Sequence, residues 1–178
     1  MVIAMTILTQ RIILTQLTKS DFNELIPLWT SEEVRKYLGG ICSQEKAAEI
    51  LQESIQATNE YNFTAKLKET GDTIGILMIA PHHDPKDTEI SFMLFPKYWG
   101  MGYAAEALTA LLDFCKETLK LKRVVSETQT ANESSCRLLT KIGYKIEAEL
   151  ERFGAKQTIY AYDLMITDNL SKNMLLNL

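Results

Sequence analysis

The chain has 178 residues, 46% hydrophobic and 24% charged, which suits one compact α/β domain with a single sizeable core. A formal net charge of -4 excludes a general attraction to nucleic acid. No apolar run approaches the length of a membrane span.

The opening MVIAMTIL is apolar but lacks the basic flank and length of a signal peptide, so a cytoplasmic protein is expected. The cysteines are Cys42, Cys115 and Cys136. An odd number at wide spacing fits neither a disulfide framework nor a zinc site. His82 and His83 stand in a Pro/Asp-rich stretch with no ligand cluster beside them, so they read as a solvated loop and no metal is expected.

In chain order, 6–17 is β-rich through Ile7, Leu8, Ile12, Ile13 and Leu14. Ser20 or Asp21 can cap a helix to about Trp29, with Pro27 shortening or kinking it. Residues 31–38 read as a helical turn or two, stopped by Gly39-Gly40. Ser43 opens an amphipathic helix to about Asn59, with Ala47, Ala48, Ile50, Leu51 and Ile55 on its apolar face. The period then changes: 62–68 and 73–80 are paired strands around a turn, the second nearly all apolar and so buried.

The informative stretch is 89–112, EISFMLFPKYWGMGYAAEALTALL. Glu89 to Phe95 is a short strand that Pro96 ends, because proline cannot donate to a ladder. Gly100 and Gly102 allow a close bend. From Tyr103 the apolar Ala104, Ala107, Leu108, Leu111 and Leu112 recur at helical spacing. The first amides of a helix lack internal partners and sit in positive potential, a setting that holds a phosphate or diphosphate. Glycines placed for packing alone would leave the same trace. The run Gly100 to Ala105 also fits G-x-G-x-x-A, the dinucleotide fingerprint. Against that, Pro96 to Trp99 separate strand from glycine, and too few residues follow for a doubly wound sheet. No G-K-[ST] is present for a P-loop.

Residues 121–128 form the next strand. Asn132 caps a helix over 133–142, and Gly143 stops it. From Tyr144 to Glu151 apolar and charged residues alternate, as in a half-exposed strand. A turn at Phe153-Gly154-Ala155-Lys156 returns the chain into a strand over 157–167, and the tail 169–178 is weakly patterned.

Trp99-Gly100-Met101-Gly102-Tyr103-Ala104 resembles the acetyl-CoA signature [QR]-x-x-G-x-[GA] of the GNAT N-acetyltransferases. Trp99 replaces the usual Gln or Arg. That form, W-G-x-G-Y-A-x-E-A, is similar to the RimJ/RimL-type branch, which acetylates ribosomal-protein N-termini, and Glu106 and Ala107 complete it. A second cluster resembles the same family: Asn132-x-x-Ser135, then Leu139-Thr140-Lys141-Ile142-Gly143-Tyr144. The likeness runs over about 6–166 and includes Glu33 to Leu38. It implies a single α/β domain over 1–178 with the GNAT fold, a mixed, mostly antiparallel sheet splayed in the middle and flanked by helices.

The resemblance also implies chemistry. Acetyl-CoA is the co-substrate, and the acetyl group passes directly to an amine. Backbone amides from Met101, Gly102, Tyr103, Ala104 and Ala105 cradle the diphosphate, and Trp99 and Gly100 count with them among the coenzyme-binding residues. Pantetheine lies along Phe92, Met93 and Leu94, and Asn132 reaches its arm. Asn132 also reads simply as a cap, and Ser135 as a local backbone partner. A tyrosine that many members use as acid is replaced by Leu139, so Ser135 or a water takes the departing sulfur. Glu89 reads as an exposed strand-end carboxylate or as the general base. Glu106 reads as helix-start electrostatics or structure. Tyr144, Phe153, Tyr160 and Tyr162 read as sheet packing or acceptor groove. The implied acceptor is a protein α-amine, with polyamines, aminoglycosides and other small amines open. A non-catalytic CoA-binding module on the same fold is the rival. No nucleic acid or membrane partner is expected, and the chain is read as a monomer or homodimer.

Overall fold

The structure is a computed structural model describing residues 5–84 and 86–165. The predicted tail 169–178 lies outside the described residues. Eight strands form one sheet in the order β1-β2-β3-β4-β5-β6-β8-β7. They are β1 (Thr6–Leu8), β2 (Ile12–Gln16), β3 (Tyr61–Leu67), β4 (Thr73–Pro81), β5 (Thr88–Leu94), β6 (Arg123–Gln129), β7 (Lys145–Arg152) and β8 (Ala155–Asp163). Every neighbouring pair is antiparallel except β5 and β6.

Helices cover both faces. On one lie α5 (Tyr103–Glu117) and α6 (Glu133–Lys141), burying Leu108, Leu111, Cys115 and Leu139 against Leu77, Ile79 and Tyr160. On the other lie α1 (Phe22–Leu25), α2 (Pro27–Thr30), α3 (Glu32–Arg35) and α4 (Gln44–Gln56), packing Leu25, Leu28, Trp29 and Leu51 on Ile76 and Met93. Strand β4 serves both cores, since successive side chains alternate between faces. That explains its unbroken apolar run.

The predicted helix to Trp29 is three pieces. A 3₁₀ turn, Lys19–Asp21, precedes α1, and Pro27 starts α2, where its missing N–H costs nothing. Asp21 bonds back to the Thr18 N–H at 2.9 Å and to Lys66 at 2.8 Å, so the capping begins earlier than expected. Burial pushes the Asp21 carboxyl up, but the Lys66 and Thr18 bonds outweigh it and hold it below the ordinary value. Helix α4 ends at Gln56, short of Asn59, where Asn62 Nδ2 donates to the Ser54 carbonyl at 3.1 Å.

Gly75 pairs with Leu94 at the end of β5. A Cβ there would lie 2.1 Å from the Met93 carbonyl oxygen, a backbone atom that cannot step aside. Gly75→Ala is therefore expected to cost about 2 kcal/mol or more, as overpacking does. Thermal melts should show a fall of about 4–8 °C. An unchanged Tm would mean that β5 is free to shift.

Candidate active site

Strands β5 and β6 run parallel but pair at one register position, Glu89 with Val125. The flanking pairs β4–β5 and β6–β8 each hold seven. Past Val125 the ladder gives way to side chains. The Ser126 hydroxyl donates to the Ile90 carbonyl at 2.7 Å, and the Glu127 N–H donates to Glu89 Oε1 at 3.2 Å. These bonds close the apex of a wedge that opens toward Leu94 on one side and Gln129 on the other.

The lining of the wedge follows from strand geometry. The Phe95 N–H donates to the Ile74 carbonyl, fixing the hydrogen-bonded register of β4 and β5. By alternation Met93 spends its main chain on β4, whereas Phe92 and Leu94 turn theirs toward β6. The Leu94 carbonyl is taken by the Trp99 indole N–H at 2.8 Å. The Phe92 main chain and the Leu94 N–H thus face the gap. Trp99 pins the bend to the strand end, a job for which neither Gln nor Arg has an equivalent ring.

At the wide end the chain makes a 3₁₀ turn, Pro96–Tyr98, and bends through Gly100 (φ 73°) and Gly102 (φ 82°). Gly102 caps α5, and the first helical bond runs from the Glu106 N–H to the Gly102 carbonyl at 3.1 Å. The amides of Tyr103, Ala104 and Ala105 therefore lack partners within the helix. Trp99 and Met101 are exposed beside them. Glu106 is structural: it accepts the Thr9 hydroxyl at 2.6 Å and the Arg11 N–H at 2.7 Å.

Across the wedge, Asn132 caps α6. Its Oδ1 accepts the Ser135 N–H at 3.3 Å, and its Nδ2 donates to the Thr128 hydroxyl at 3.3 Å. Ser135 is half-buried, and its hydroxyl makes no hydrogen bond among the described residues. One amide hydrogen of Asn132 and the Ser135 hydroxyl are what this corner can offer a ligand.

The acidic residues lie on the α1–α4 face. Glu89 shares the side of β5 with Met93, and Glu127 shares that of β6 with Val125, the partner of Glu89. Burial pushes the Glu89 carboxyl above its ordinary value, and the Glu127 charge adds to that; the Glu127 N–H and the nearby His82 and His83 work against it. Glu89 is thus not a plain exposed strand end. Among the described residues no lysine or arginine pairs with it.

His82 departs from the solvated loop expected for it. Its side chain is buried at the end of β4, and Nε2 lies 2.7 Å from Glu127 Oε2. The Asp84 N–H donates to Nδ1 at 3.1 Å, which leaves the ring proton on Nε2, aimed at the carboxylate. Arg152 Nη1 reaches the same oxygen at 2.8 Å, while Glu127 Oε1 is buried without a partner. His83 is exposed and packs on Phe153, ring centroids 4.8 Å apart. Phe153 (φ 56°) and Gly154 (φ 74°) form the two-residue β7–β8 turn. Tyr144 and Tyr160 are buried in the α5–α6 core, and Tyr162 packs on Tyr144. Sheet packing describes these tyrosines, leaving Phe153 exposed at the hairpin tip.

A sheet split beside a glycine bend at a helix start is the arrangement of an acyl-CoA-dependent acyltransferase. The sequence profile of the Acetyltransferase (GNAT) domain matches residues 11–145, and the chain belongs to that family. It is 29% identical over 153 residues to the uncharacterized N-acetyltransferase YoaA of Bacillus subtilis, covering 82% of this chain and 85% of that one. The solved structures that share the fold include two with a stated acceptor. An acetyltransferase of Salmonella typhimurium that modifies the N-terminal serine of ribosomal protein L7/L12 superposes with TM-score 0.77 at 18% identity, over 89% of this chain and 99% of that one. Spermidine N-acetyltransferase of Vibrio cholerae, in complex with CoA and spermine, superposes with TM-score 0.76 at 17% identity, over 86% and 95%. The chain is an N-acetyltransferase of the GNAT family, whose members use acetyl-CoA. No helix among the described residues is long and apolar enough to cross a membrane.

Proposed function

We propose that this enzyme moves an acetyl group from acetyl-CoA to a protein α-amine by direct attack, with Glu89 as general base. The observation that carries the reading is Glu89 itself, a half-buried carboxylate at the apex of a wedge whose wide end meets the glycine bend. The donor lies in the wedge: diphosphate on the amides of 101–105, pantetheine against Phe92 and Leu94, the thioester carbonyl polarised by a β5 N–H. The amine enters from the α1–α4 face. An α-amine has an ordinary pKa of about 7.7–8.0, so a modest base suffices. Ser135, whose hydroxyl is uncommitted, donates to the departing sulfur.

Supporting the α-amine over a small amine are the signature around Trp99 and the Salmonella neighbour that modifies an N-terminal serine. The spermidine acetyltransferase neighbour keeps polyamines as the second reading. Thiol release from acetyl-CoA is to be followed with a serine-initiated peptide, the same peptide N-acetylated, and spermidine. Release with the free peptide and none with the blocked one is expected. Turnover of spermidine alone would move the acceptor to polyamines. Tight CoA binding with no turnover of any amine would make the protein a binding module.

A further inference from the structure

A bend built on two glycines is permissive. Each tolerates positive φ without strain, so the peptides between them can reorient at little cost. A cradle of fixed amides then needs a brace from outside the bend.

Arg11, on the turn between β1 and β2, is in place for that. Its Nε donates to Glu106 Oε2 at 2.7 Å, and its main-chain N–H to Glu106 Oε1 at 2.7 Å. Its Nη1 donates to the Met101 carbonyl at 3.0 Å. Its guanidinium lies over the Tyr103 ring, 4.4 Å from the centroid. A Cβ on Gly102 would meet Nη2 at 3.3 Å. All three guanidinium nitrogens thus sit against residues 101–106, some ninety positions away in sequence. The Thr9 hydroxyl adds a second hold on Glu106.

The bond to Met101 has a directional consequence. In a trans peptide the C=O and N–H point opposite ways. With the Met101 carbonyl drawn to Arg11, the Gly102 N–H is turned away from the hairpin. Arg11 also neutralises Glu106, whose carboxylate on the first turn of α5 would otherwise repel a diphosphate. Burial pushes the Glu106 carboxyl up, but the bonds from Thr9 and Arg11 outweigh it, so it stays ionised and paired.

We propose that Arg11 is a positioning residue for the coenzyme: with Glu106 and Thr9 it locks the glycine bend in the orientation that presents its amides to the diphosphate. This rests on the reading that the bend takes the diphosphate of CoA. The test is calorimetric titration of wild type, Arg11→Met and Arg11→Lys with three probes: CoA, dephospho-CoA and pantetheine, which lacks the diphosphate. Arg11→Met should lose about tenfold in affinity for CoA and for dephospho-CoA alike, and none for pantetheine. Arg11→Lys, which keeps the charge but cannot hold Glu106 and Met101 together, should recover part of the loss. Wild-type CoA affinity in Arg11→Met would overturn the proposal. A loss that extended to pantetheine would make Arg11 a general support of the fold, which also overturns it. A loss confined to CoA would make it a direct ligand of the 3′-phosphate instead of a brace, and overturn it too. Wild-type protein that bound pantetheine as tightly as CoA would sink the reading of the bend itself.

Discussion

Glu89→Gln is expected to lower kcat by about 10²–10⁴-fold, the usual contribution of a positioned general base, and to leave CoA affinity unchanged. The substitution is isosteric, and the glutamine oxygen can still accept the Glu127 N–H that bonds Glu89 Oε1. The wedge apex therefore stays closed while the carboxylate is lost. Burial raises the Glu89 pKa, so the wild-type rate should climb with pH through a range above the ordinary carboxylate value. The variant should lack that limb. Stability runs the other way. A carboxyl with a folded pKa above its unfolded pKa contributes stability that is fully present below the unfolded value and is lost as pH rises through the folded one. The variant carries no such charge, so its Tm relative to wild type should rise from pH 4 to pH 8. Steady-state kinetics against pH, with parallel melts, check both. An unchanged kcat would remove Glu89 from the chemistry.

Gly102→Val is expected to weaken CoA binding by about 100-fold or more. Gly102 has φ 82°, and a β-branched residue there costs more than the 1–2 kcal/mol typical of the left-handed region. Its Cβ would also meet Arg11 Nη2 at 3.3 Å and disturb the brace. Relief of both means turning the peptide at the head of α5, and the amides turn with it. Gly100 provides the comparison. It has φ 73° but open space around it, so Gly100→Ala should bring strain alone and cost about tenfold or less. Equal losses at the two positions, read by titration with CoA, would show that backbone strain alone matters at the bend.

The strand–bend–helix was legible in the sequence because its signals are local. Pro96 stops a strand, two glycines turn the chain, and a helical period begins within a few residues. The Asn132 cap was legible for the same reason. What sequence reading missed is non-local. Arg11 meets Glu106 across ninety-five positions, and nothing in LTQRII marks it as a neighbour of the glycine bend. His82, Glu127 and Arg152 come from three elements, and His82 looked solvated because its partners are far along the chain. One signal was available. Residues 126–129 are polar within a strand that must be central, and strand alternation sends Glu127 to the same face as Val125. The helix before Trp29 is interrupted at Pro27 as expected, but a kink and a fresh start leave the same trace in sequence.

Glu127 also explains why Glu89 is held where it is. Its carboxylate is clamped by His82 and Arg152, and its main-chain N–H donates to Glu89. Second contacts of this kind are what hold a reacting group to the tolerance that catalysis needs. Glu89 thus stands at the narrow end of the wedge and the amides of the glycine bend at the wide end, with β5 as the common wall.

The most direct measurement is a crystal structure of the protein with CoA. Diphosphate oxygens within about 2.7–3.2 Å of main-chain nitrogens of Met101 to Ala105, with the pantetheine between β5 and β6, are predicted. Coenzyme bound elsewhere, with those amides facing solvent, would contradict the account.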